Sequence, residues 1–83
     1  MPELEPTEAL IALLADIRDR HVLEDPDTCA PYLDLAGEED RADVSRSVWA
    51  MANERPPWCW LPPDTLVWHL TDRGREVLDR GAL

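Results

Sequence analysis

The sequence predicts a mainly α domain with one small β-hairpin, an α+β fold in which helix, hairpin and helix follow one another. Three observations carry this expectation. Leu70-Thr71-Asp72-Arg73-Gly74-Arg75-Glu76-Val77-Leu78 reads as a strand handing over to a capped helix. Val44, Val48 and Met51 repeat at helical spacing. Between them, the Trp-rich stretch 58–70, interrupted by Pro62 and Pro63, has the length of a hairpin. At 83 residues the chain is expected to form a single domain over 1–83, with 1–6 extended or frayed. A domain this small buries only about 60% of its unfolded surface, so the four tryptophans are expected to carry much of the core.

Each element follows from local chemistry. Thr7 can accept a hydrogen bond at the start of a helix, with Glu8 in its first turn. Leu10, Ile11, Leu13, Leu14 and Ile17 then form one apolar stripe, so a first helix is expected over 7–20. Pro26 blocks continuation. Asp27 or Thr28 can cap a short second helix over 29–36, with Pro31 in its first turn, Tyr32, Leu33 and Leu35 facing inward, and Gly37 as a stop. A third helix is expected over 40–54, ended by Arg55-Pro56-Pro57. Trp58 to Leu61 and Leu66 to Leu70 read as strands joined by Pro62-Pro63-Asp64-Thr65. Pairing Leu61 with Leu66 would set Cys59, Leu61, Leu66, Trp68 and Leu70 on one face and Trp58, Trp60, Val67 and His69 on the other. A one-residue slip would exchange the faces. Thr71 caps a fourth helix over 72–80, with Val77 and Leu78 facing in and Gly81 ending it.

Charge divides the chain. Residues 1–40 hold twelve carboxylates against Arg18 and Arg20, so the whole net charge of −10 resides there, and the remainder balances. Such asymmetry speaks of partners rather than of fold. The acidic, Pro-rich start lacks the basic and apolar blocks of a secretory signal. No apolar run approaches the roughly 20 residues of a membrane span. Two cysteines, Cys29 and Cys59, make no disulfide framework. A cytoplasmic protein with reduced thiols and no membrane association is expected.

The segment Val44-Ser45-Arg46 with apolar Val48 and Met51, and the junction Leu70-Thr71-Asp72-Arg73-Gly74-Arg75-Glu76, resemble winged helix-turn-helix regulators, in particular the MarR-like group. The resemblance covers residues 28–80 and implies a three-helix core, a hairpin wing over Trp58–Leu70 and a C-terminal helix. It also implies that the helix through Val44–Met51 enters the DNA major groove with Ser45 and Arg46. Three features depart from the family pattern. No basic residue lies between Arg55 and Arg73, where a wing usually carries them. The segment before the third helix is acidic, and Trp49 stands where a polar side chain is usual.

DNA binding in transcriptional regulation is the expected function, and protein interaction is the alternative. As a DNA-binding transcriptional regulator, the chain would contact DNA through Arg41, Ser45, Arg46, Trp49, Asn53 and Arg55, with a twofold homodimer supplying two half-sites. Affinity for DNA depends largely on neutralised phosphates, and few cations serve that purpose here. As a protein-interaction module, the chain would present Trp58, Trp60, Val67 and His69 to a basic protein partner, or mimic DNA with its acidic half. No enzyme, cofactor or metal is expected. His21, Cys29, Cys59 and His69 lack zinc-site spacing, Asp25, Asp27 and Asp34 lack EF-hand spacing, and no catalytic constellation stands out.

Overall fold

A computed structural model describes residues 4–34 and 42–81, and only the backbone of 42–43. In chain order the described residues form α1 (Glu8–Arg18), β1 (Val22–Asp25), β2 (Ala30–Leu33), β3 (Ala42–Asp43), α2 (Ser45–Ala52), β4 (Cys59–Trp60), β5 (His69–Leu70) and α3 (Asp72–Gly81). This is a small α+β arrangement with three helices among the described residues and two antiparallel sheets, β1-β2-β3 and β4-β5.

Local signals place α1 and α3 well. Thr7 Oγ1 accepts a hydrogen bond from Leu10 N at 3.3 Å, and Leu13, Leu14 and Ile17 are buried. Thr71 Oγ1 accepts from Gly74 N at 3.0 Å, and Val77 and Leu78 are buried. The two helices pack together, so closely at Gly81 that a Cβ there would lie 2.3 Å from the Ile11 side chain.

The expected second helix is corrected by the structure. Residues 22–33 form a hairpin in which Val22 faces Leu33, Leu23 faces Tyr32, Glu24 faces Pro31 and Asp25 faces Ala30. The residues read as a helix cap make its turn instead. Asp25 Oδ1 accepts from Asp27 N at 2.8 Å, and Cys29, at φ 57, donates its N–H to the Asp25 carbonyl at 2.7 Å. Asp, Thr and Pro favour helix starts and tight turns for the same reason: short polar side chains hydrogen-bond to nearby backbone. Leu35, Gly37 and the rest of that prediction lie outside the described residues. The third helix is shorter than expected. Ala42 and Asp43 pair with Leu33 and Tyr32, so α2 starts at Ser45 and is capped by Asn53.

The second hairpin forms in a different register. Cys59 pairs with Leu70 and Trp60 with His69, two residues from the expected pairing of Cys59 with Trp68. Residues 66–68 lie along β1 instead. Glu24 N donates to the Leu66 carbonyl at 2.7 Å, Trp68 N donates to the Val22 carbonyl at 3.0 Å, and Leu23 bridges Val67. The strand therefore serves β1 first and β4 second. A shift of two residues preserves side-chain alternation, which is why Cys59, Trp68 and Leu70 still face the core. Leu66, expected inward, is 49% exposed, because at that point the strand borders β1 at the edge of the fold.

One core joins these elements: Leu13, Leu14, Ile17, Val22, Val48, Met51, Trp58, Cys59, Trp68, Leu70, Val77 and Leu78. Among the described residues it encloses no side-chain nitrogen or oxygen without a partner. The Trp68 indole illustrates this, donating to Glu24 Oε1 at 3.2 Å.

Candidate functional site

The outward surface of α2 is the first candidate. Val48 and Met51 are fully buried, so their side of the helix faces the core. Arg46, Trp49 and Asn53, at i, i+3 and i+7, fall on the opposite side and are exposed. Ser45, Arg46, Trp49 and Ala50 line a shallow recess of about 620 Å³. The helix packs on β2 and β4, which hold this surface in place. Ser45, Arg46 and Trp49 thus share this recess, and Asn53 is exposed at the C-terminal end of the helix. Arg55 is exposed beyond the end of the helix, its Nη1 donating to the Glu54 carbonyl at 3.5 Å. Arg41 lies outside the described residues.

The hairpin surface is brought together only in part. Trp60 is 48% exposed and stands across the ladder from His69. Val67 is half-buried and bridges Leu23 rather than facing Trp60. Trp58 is a correction, for it is only 4% exposed. Alternation places a residue only inside a ladder, and Trp58 precedes the first pair. Its N–H donates to the Met51 carbonyl at 3.0 Å and its carbonyl accepts from Thr71 N at 3.1 Å. These bonds draw it beneath α3.

That seam explains the Leu-Thr-x-x-Gly junction. Besides capping α3, the Thr71 hydroxyl donates to the Pro57 carbonyl. A Cβ on Gly74 would lie 1.9 Å from the Trp58 carbonyl oxygen. Glycine is required there for backbone to approach backbone. The motif is thus accounted for by packing.

No family model, curated protein or solved structure matches this chain.

Burial pushes the Cys59 thiol from its ordinary 9.0 up to about 12, and Sγ lies 3.6 Å from the Val48 carbonyl. A protonated, enclosed thiol is a poor nucleophile. Cys29 is exposed on the first hairpin turn, far in sequence from the core cysteine. Among the described residues no three His, Cys, Asp or Glu side chains gather as a metal-ligand set. No described helix is long and apolar enough to cross a membrane.

Sequence reasoning missed one grouping. Arg18, Arg20, His69 and Arg75 converge with Ile17 and Leu70 on a cleft. These residues are spread over three elements and their connections, so no short motif announces them.

Proposed function

We propose that this chain is a protein-docking domain on a winged-helix-like framework, and that its partner is a basic protein surface. The observation that carries the reading is the exposure of Trp49 and Trp60, 46% and 48%, on two elements packed against each other. Tryptophan supplies much of the binding energy at protein interfaces when its ring is desolvated by a partner. The net charge of −10 favours a positively charged partner through long-range attraction. Residues 56–72 themselves contain no Arg or Lys, and Arg18, Arg20 and Arg75 gather on the cleft beyond His69.

A second reading, a DNA-binding transcriptional regulator, is favoured by a separate observation. Arg46 and Asn53 project from one side of α2 beside Ser45, and the β4–β5 hairpin follows. The succession α2, β4, β5, α3 is the helix–hairpin–helix order a winged helix would have, while β2 and β3 stand where that layout has a helix. Its weakness is electrostatic. Only Arg46 and Arg55 among the described residues of 42–69 carry positive charge, whereas DNA affinity scales with phosphates neutralised.

A paired titration separates the readings. Random-sequence duplex DNA is added to the chain at low and moderate salt, followed by anisotropy. In parallel, cross-linked partners are captured by the native chain and by Trp49→Ala/Trp60→Ala. Docking predicts no binding of duplex at low salt and partners lost with both tryptophans. Salt-sensitive duplex binding that disappears in Arg46→Ala/Arg55→Ala would overturn docking in favour of DNA.

A further inference from the structure

The cleft between the end of α1, β5 and α3 gathers positive charge in an acidic protein. Three of the chain's eight arginines, Arg18, Arg20 and Arg75, line it with His69, over a floor of Ile17 and Leu70. Its volume of about 130 Å³ suits a group the size of a single phosphate. Arg18 is partly committed, since its Nε lies 3.0 Å from Asp19 Oδ1 and Asp79 is also nearby. His21, outside the cleft, pairs with Asp16. Neither Arg20 nor Arg75 makes an ion pair with a described residue. Two guanidiniums with no ion pair to a described residue, and an imidazole, therefore line one small space.

The backbone at Arg20 adds an independent argument. Helix α1 ends in a Schellman arrangement: His21 N donates to the Asp16 carbonyl at 2.9 Å and Arg20 N to the Ile17 carbonyl at 3.1 Å. Arg20 occupies its left-handed position, at φ 66. Glycine serves that position best, and a long side chain there is strained. Helix-end electrostatics favours a cation near the last turn, but Arg18 already supplies one. Placing arginine at the strained position sends one more guanidinium into the cleft.

We infer that this cleft binds a phosphate group, held by Arg20 and Arg75 with His69 as a further donor. Guanidinium presents paired N–H donors that match phosphate oxygens. Trp60, half-exposed across the ladder from His69, offers an aromatic face beside the cleft to a phosphate that carries a ring. The cleft shares no lining residue with the recess on α2, and only Trp60 is common to docking, so binding of inorganic phosphate through Arg20 and Arg75 stands whether or not docking is correct.

The test is calorimetric titration of the full chain with inorganic phosphate, and separately with a nucleoside monophosphate, at ionic strength held constant with chloride. Saturable binding is expected. Arg20→Gly and Arg75→Ala should each weaken it by about tenfold or more, as loss of a charge-assisted contact implies. Arg80→Ala, outside the cleft, should leave it unchanged. Arg20→Gly should also raise the thermal midpoint, because glycine relieves the left-handed strain. Loss of binding in that variant therefore cannot be blamed on unfolding. Tighter binding of the nucleoside monophosphate than of phosphate would identify a nucleotide as the source, and equal binding a bare phosphoryl group. Absence of saturation with both ligands, or undiminished binding in Arg20→Gly/Arg75→Ala, would overturn the inference.

Discussion

Trp58 and Trp60 stand two residues apart, yet one is sealed beneath α3 and the other is half open to water. The seam around Trp58 is closed by backbone. Thr71 holds the carbonyls of Pro57 and Trp58, and Gly74 lets α3 descend onto the latter. On α2 and β4, Trp49 and Trp60 have no such cover. Identical side chains thus lie within the core in one region and remain open to water in the other. The difference lies in whether neighbouring backbone can come close enough to exclude water.

The largest effect that would break this contrast is at the seam. Trp58→Ala should destabilise the fold by about 3–5 kcal/mol, the usual cost of emptying a buried aromatic site, as read from urea unfolding. A cost near that of an exposed residue would mean that the seam is not the anchor. Gly74→Ala comes next, at about 2–3 kcal/mol, because overpacking against a carbonyl outweighs the better helix propensity of alanine. If Gly74→Ala instead raises the unfolding midpoint, the close approach of α3 to Trp58 is wrong.

The third prediction concerns the alkaline limb of stability. The Cys59 thiol ionises at 9.0 when exposed and at about 12 when folded. Between these values the native state holds a proton that the unfolded state has lost. Stability from burial of the neutral thiol is therefore complete below about pH 9 and declines as pH rises towards 12. Urea midpoints measured across this range should fall less steeply for Cys59→Ala than for the native chain. Parallel slopes would place Cys59 in contact with solvent.

The smallest effects belong to the open region. Trp49→Ala and Trp60→Ala should each alter stability by no more than about 0.5 kcal/mol, as for surface positions generally. Thermal unfolding of the two variants checks this. A loss comparable to Trp58→Ala would show that these rings are structural and would remove the basis for docking.

Much of the helical structure was legible because its signals are local. Thr7 and Thr71 lie one residue before the helices they cap, and the apolar residues of α1, α2 and α3 recur at helical spacing. The hairpin over 22–33 was not legible, because Asp25, Asp27 and Pro26 serve a turn as readily as a helix start. Its decisive partners, residues 66–68, lie far along the chain. The α2 surface could be read from periodicity. The expected hairpin surface failed at Trp58 because alternation was extended beyond the ladder.

The amino-acid order determined the caps of α1 and α3, the inward stripes of the helices and the charge division. Each depends on side chains within a few positions of one another. Tertiary structure decided which tryptophans are covered, which strand residues 66–68 accompany, and that Arg18, Arg20, His69 and Arg75 meet in one cleft. Those outcomes depend on contacts between distant segments. Such contacts form only when burial of a shared core offsets the entropy of closing the chain between them.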